Sequence, residues 1–243
     1  LNVLPSQTTK TYTFDLVYDG LGSAIVNVKV NAIMDGVSKV YSGKLELNYV
    51  PRSMVSKVIV DGSHFNDYVN GYYEGSITEL GAFASKYYEE VIVKKDKITA
   101  EDLKDCSVLI VTSPAKQSGT TKDGTAYKPT SFDDDFINLV AEYVKNGGKV
   151  VLCGIADYKD SQAVQTSTEM NKLLTAIGAT TRFNSDELVD DTNFSNQNYR
   201  LYFDDYNKSS KYLDGLVEGM TYSCYSGCGI LVDKDAVANG TVE

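Results

Sequence analysis

The single histidine of this chain lies in a run that can do chemistry: Val58-Ile59-Val60-Asp61-Gly62-Ser63-His64-Phe65-Asn66-Asp67. A carboxylate three residues before an imidazole, followed by an amide and a second carboxylate, supplies a base, an acid to orient it and several hydrogen-bonding groups. Three uses stand open. The groups can bind a polar ligand such as a sugar, coordinate a cation, or satisfy the backbone of their own loop. Hardness limits the cation reading, because mixed imidazole and carboxylate suit transition metals better than calcium. The apolar residues before Asp61 read as a strand, and open α/β sheets bind ligands beyond the carboxyl ends of their strands. A crevice site of Asp61, His64, Asn66 and Asp67 is therefore expected.

Other residues are expected to face the same crevice. Ser113 and Gln117 open a long polar loop, 113–130, after the apolar run Ser107–Thr112. A loop of that length is functional or mobile, so it reads either as a lid or as a surface insertion. Asp157, Asp160 and Ser161 follow a further strand, Lys149–Cys153. Tyr68, Tyr72, Tyr73 and Tyr158 carry rings that can stack on sugars, although each also suits a core or an amphipathic surface. Asp133-Asp134-Asp135 reads as acidic charge at a helix start, where the macrodipole favours it. Of the four cysteines, Cys106 and Cys153 border apolar strands and read as small buried residues. Cys224 and Cys228 read as packed thiols in a tight turn, or as a small disulfide. No second Cys/His pair completes a zinc tetrad, so no metal site and no cofactor is expected.

The elements that must position these groups follow from periodicity. Residues 8–49 alternate in the strand manner, as in Tyr12–Tyr18, Ala24–Val30 and Lys39–Tyr49, with Asp-Gly turns between them. The segment 1–52 is expected to be β-rich, the trailing part of an immunoglobulin-like module, with Pro51 at its boundary. From 53 to 243 strands and helices alternate. Strands are expected at 57–61, 90–93, 107–112, 149–153 and about 180–183. Helices are expected after the capping box Ser76–Glu79, after Thr99, after Ser131, and around 167–177. Serial βα units make a parallel sheet with right-handed crossovers. The expected class is α/β: a flavodoxin-like, doubly wound parallel sheet of five strands with an N-terminal antiparallel β appendage.

The order of the motifs carries a resemblance. Val60–Asn66, Ile98-Thr99-Ala100-Glu101-Asp102-Leu103, Phe136…Val151, Met170–Gly178 and Val189-Asp190-Asp191 resemble the class I glutamine amidotransferase-like superfamily. The similarity is to its non-catalytic branches, the GIFT domain of intraflagellar transport proteins and accessory proteins of gliding-motility ABC transporters. Catalytic members carry a nucleophilic Cys in a Gly-x-Cys-x-Gly turn after a central strand. Here that turn reads Leu152-Cys153-Gly154-Ile155-Ala156, with Ile155 at the nucleophile position and no histidine after residue 64. A Cys–His–acid relay needs a base in reach of the nucleophile, so amidotransferase chemistry is not expected. Similar regions occur in large secreted proteins of clostridia-like bacteria, some named as nucleases, but no nuclease motif is present in this chain.

Composition narrows the function classes. The net charge of −10 opposes nucleic-acid binding, which concentrates Lys and Arg. No run approaches the roughly 20 apolar residues of a membrane span. Eighteen tyrosines and no tryptophan, with many Asn, Ser, Thr and Gly, resemble an extracellular protein of a Gram-positive bacterium. The start at Leu1 and the strand-like end near Val232 read as cuts from a longer polypeptide. The leading expectation is a non-catalytic binding or scaffold module of a secreted multidomain bacterial protein. Its partners would be a carbohydrate or other cell-surface ligand and the remaining domains of the parent chain. The alternatives are a hydrolase using His64 with Asp61 or a bound metal, and a fragment of a larger secreted nuclease-type protein.

Overall fold

The structure, a computed structural model, describes residues 11, 20–157, 164–206, 210 and 219–240. The chain divides into two compact units, Leu1–Val55 and Ser56–Glu243. In the first, β1 (Gly22–Met34) and β2 (Val37–Tyr49) form an antiparallel hairpin. Asp35 and Gly36 both take positive φ, 52° and 77°. That is the two-residue turn whose twist matches the flanking strands, and Asp-Gly adopts it readily. The expected strand Tyr12–Tyr18 lies outside the described residues.

In the second unit the chain runs β3 (Ser56–Asp61), α1 (Leu80–Ala84), β4 (Glu89–Lys94), α2 (Ala100–Leu103), β5 (Cys106–Thr112), β6 (Gly119–Thr120), β7 (Ala126–Tyr127), α3 (Asp134–Lys145), β8 (Lys149–Cys153) and α4 (Thr166–Ala176). There follow β9 (Arg182–Phe183), β10 (Arg200–Phe203), β11 (Tyr222–Tyr225), β12 (Ile230–Leu231) and α5 (Lys234–Ala238). β3, β4, β5 and β8 make one parallel sheet in the order β4–β3–β5–β8. Their in-register pairs, Val58 with Val91 and Val108 and Ile59 with Ile92 and Leu109, set which residues share a face. Ile59, Leu109 and Val111 pack with Ile98 and Leu103 before and on α2, Phe132 and Phe136 at the start of α3, Val140 within it, and Met170 and Leu173 of α4. Val140 and Leu173 are fully buried, as the 3–4 residue spacing on each helix requires.

The expected five-stranded, doubly wound, flavodoxin-like sheet is not formed. Among the described residues the parallel sheet has four strands. Residues 182–183 leave it and pair antiparallel with β12, one of several two-stranded antiparallel sheets. The second face is also thinly covered. The helix expected from the capping box at Ser76 shrinks to the five residues of α1, and its continuation Ser85–Tyr87 is a 3-10 turn ended by Tyr88 in the left-handed region. Val93 and Val151, on that face, stay exposed. Short helices that cover one face well and the other sparsely give a mixed architecture rather than a doubly wound one.

Candidate functional site

The loop after β3 is organised by Asp61 and Asn66, both fully buried. Asp61 Oδ1 accepts from Ser63 N at 2.9 Å and Ser63 Oγ at 2.7 Å. Its Oδ2 lies 2.9 Å from His64 Nδ1 and accepts from Asn66 Nδ2 at 3.1 Å. Asn66 Nδ2 also donates to Thr112 O at 2.9 Å, and its Oδ1 accepts from His64 N at 3.1 Å. Backbone bonds then zip this loop to the one after β5: Asp67 N to Ser113 O at 2.8 Å and Ala115 N to His64 O at 3.1 Å. A buried polar network satisfied this fully fixes its loops, because breaking any member strands a polar group away from water.

His64 packs edge-on against Phe132, with ring centroids 4.9 Å apart, and tilted on Phe136 at 4.6 Å. Its side chain is 10% exposed. Ser63 Oγ lies 3.0 Å from the same Nδ1 that meets Asp61. Nε2 has no hydrogen-bond partner among the described residues. Ser63 and His64 line a cavity of about 250 Å³ together with Lys97, Ile98, Thr130, Ser131, Asp133 and Phe136.

A second network joins the ends of β5 and β8. Lys116 is buried, donates from Nζ to Ala156 O at 2.9 Å and lies 3.6 Å from Asp157 Oδ1. Asp157 takes the first amides of α4: Thr166 N at 2.5 Å on Oδ1, and Ser167 N at 2.9 Å and Ser167 Oγ at 2.6 Å on Oδ2. It thus serves as a cap supplied from a distance, where Gln165 at the cap position makes no capping side-chain bond. Ser113 Oγ pairs with Thr166 Oγ1 at 3.0 Å. Burial lowers the Lys116 pKa against the pull of Asp157 and Asp67. Burial also pushes Asp67 up to about 6, with Lys116 and the Tyr72 amide opposing.

Of the residues expected at the crevice, Asp61, Asn66, Ser113 and Asp157 are buried and bonded within the protein. Asp67 is buried beside Lys116, His64 borders the cavity, and Gln117 is exposed. Asp160, Ser161 and Tyr158 lie outside the described residues. The loop 113–130 carries its own hairpin of β6 and β7 and is tied back by Thr130 N to Ala115 O at 2.9 Å. Cys153, expected to be buried, is exposed at the end of β8. Cys106, Cys224 and Cys228 are free and half-buried. Ile155, which follows β8 by two residues, is 2% exposed.

Around this frame the tyrosines gather. Tyr68 stacks on Tyr73 with centroids 5.0 Å apart, and Tyr72 meets Tyr73 edge-on at 4.8 Å. Tyr225 of β11 meets Tyr73 at 6.3 Å and Tyr199 at 5.6 Å, and the Arg200 guanidinium sits 4.8 Å from the Tyr225 ring centre. Tyr72 is 59% exposed. Phe65 and Tyr68 take φ of 49° and 71°, a conformation bulky residues rarely adopt and one that persists only where neighbours enforce it. The sequence offered Tyr68, Tyr72 and Tyr73 but not Tyr199, Arg200 and Tyr225, which join them from more than 120 residues away. Lys116 was equally hidden: its signal is only a lysine next to Pro114-Ala115 after an apolar strand.

No protein-family model matches the chain. No curated protein matches it either. Among solved structures it is similar in fold to the "mmIFT52 N-terminal domain", with a TM-score of 0.52 and 14% identity over 74% of this chain and 69% of that one.

Proposed function

We propose that the chain is a non-catalytic binding module of a secreted, multidomain bacterial protein, and that it recognises carbohydrate through the cluster of Tyr68, Tyr72, Tyr73, Tyr199 and Tyr225. The observation that carries this reading is the cluster itself. Three segments distant in sequence contribute rings that pack on one another, with Tyr72 open to solvent and Arg200 against Tyr225. Packed rings lose little entropy when a ligand arrives. Each offers an apolar face for the C–H side of a sugar and a hydroxyl for its polar rim. The buried carboxylates and amide beneath act as the frame that holds the strained loop, rather than as ligand contacts.

Two features support a module without chemistry of its own. The nucleophile position of the sequence pattern holds a buried isoleucine, Ile155, in keeping with the sequence resemblance to non-catalytic GIFT-type domains. The Asp61–His64 pair has the form of an oriented base, but no described hydroxyl or thiol is bonded to Nε2, where a relay through a serine or cysteine would need its nucleophile.

The chain has no tryptophan and eighteen tyrosines, so tyrosine emission is readable, and the part of a ligand response lost in Tyr72→Ala and Tyr73→Ala belongs to the cluster. Titration with soluble cell-wall and plant oligosaccharides is expected to change that emission saturably. Tyr72→Ala and Tyr73→Ala are each expected to weaken binding about tenfold, the effect of about 1.4 kcal/mol. Absence of any saturable response, or wild-type affinity in both variants, counts against the reading.

A further inference from the structure

The cavity beside His64 is separate in its lining from the tyrosine cluster, and its chemistry is distinct. With Nδ1–H directed to Asp61 Oδ2 at 2.9 Å, a neutral imidazole presents Nε2 as a bare acceptor. That nitrogen has no partner among the described residues and belongs to a nine-tenths buried side chain, of a residue that lines a cavity of about 250 Å³. An occupant that displaces water from this acceptor keeps the hydrogen bond only if it donates one, so the site favours an occupant that donates.

The rest of the lining selects the donor. Asp133 uses Oδ1 to cap α3 through Phe136 N at 2.8 Å, and its other oxygen carries no bond among the described residues. Thr130 and Ser131 add hydroxyl oxygens, and the Phe136 ring forms a wall. The one lysine in the lining, Lys97, is paired with Asp135 at 2.7 Å and also feels the charge of Asp133. Asp61 behind the imidazole and Asp133 across from it leave the surroundings negative, as is the chain as a whole. An anion is repelled by these carboxylates. A cation with N–H donors is attracted by them and by the aromatic face.

We propose that this cavity is a binding site for a small organic cation bearing primary ammonium groups, with His64 Nε2 and the Asp133 carboxylate as its two acceptors. The unique histidine makes the test direct, because its two ring nitrogens give one isolated set of signals in a long-range ¹H–¹⁵N spectrum of the labelled full chain. The free protein is expected to show the Nδ1-protonated tautomer. Adding 1,4-diaminobutane is expected to shift Nε2 saturably. Equal concentrations of 1,4-butanediol, which is neutral, and of tetramethylammonium, which has no N–H, are expected to leave it unmoved. Asp133→Asn keeps a capping side chain and removes the charge, and it is expected to weaken the response about tenfold. The backbone amide spectrum of that variant checks that it is folded. The proposal is overturned if the diol shifts Nε2 as strongly as the diamine, if neither does, or if Asp133→Asn binds the diamine unchanged. Failure of glycan binding at the tyrosines does not bear on this result, since no residue is shared.

Discussion

At the scale of single residues, the decisive groups are charges taken out of water. Lys116 sits between Asp157 and Asp67, with Asp157 held by the start of α4. Removing one partner of a buried ionic set leaves the others uncompensated, which costs about 3–5 kcal/mol. Lys116→Met is therefore expected to lower the unfolding free energy by about that amount in urea melts, whereas Lys122→Met, on the exposed part of the same loop, changes it little. Asp67 gives the set a pH signature. Its folded pKa is raised to about 6 from 3.8, so the folded state holds this proton more tightly than the unfolded chain. Its effect on stability is neutral below about pH 4, becomes unfavourable as pH rises from about 4 to 6, and stays so above, at roughly 2–3 kcal/mol. Melts of wild type and Asp67→Asn at pH 4, 5, 6 and 7 are expected to diverge over that window, the variant losing the downward contribution. Parallel curves would mean the carboxylate is not held as the geometry implies.

At the scale of elements, what the sequence discloses depends on whether the determining contacts are local. β3, β5 and β8 are legible because strands buried in a parallel sheet read as continuous apolar runs. Thr99 and Asp102 exchange side-chain and backbone bonds around the first turn of α2, a pattern visible in four residues. The partner of Arg182–Phe183 is not local: it lies at Ile230–Leu231, and nothing in either pair names the other. For the same reason the Asp61–Asn66 group is legible as polar residues after a strand, while its bonding to Thr112, 46 residues on from Asn66, is not. The loop that joins these scales turns on Gly71. A Cβ there would lie 2.1 Å from Phe65 O and 3.0 Å from Asn66 O, and Asn66 O already accepts from the amides of Val69, Asn70 and Gly71. Gly71→Ala must push backbone aside, so it is expected to cost about 1–3 kcal/mol or more and to scatter the tyrosine cluster. Gly81, inside α1 with open space around its Cβ position, gives the matched contrast. Gly81→Ala is expected to stabilise by about 0.5–1 kcal/mol. Thermal melts of the two variants, with tyrosine near-ultraviolet dichroism as the probe of ring packing, check both signs.

At the scale of the whole molecule, the two units differ in what holds them together. The parallel sheet of the second unit surrounds its central strands with helices and neighbours, and Val60, Leu109 and Val111 are fully buried. The hairpin of the first unit turns apolar side chains outward from both of its faces: Ile25, Val28, Val30, Ile33, Val37 and Val40 are all exposed. Among the described residues no third strand pairs with it, and a two-stranded hairpin is marginal in water on its own, so its amides are expected to open by local fluctuation at little cost. Those of β3 and β5 exchange only when the sheet itself comes apart. Native-state hydrogen exchange on the full chain is expected to rank the amides accordingly, with residues 22–49 exchanging about a hundredfold faster, or more, than Ile59, Val60, Leu109 and Val111. Equal protection in both sets would show that hairpin and sheet unfold as one cooperative body. A β1–β2 hairpin that becomes protected only when a partner is added would instead identify its two apolar faces as the surface through which this unit is stabilised.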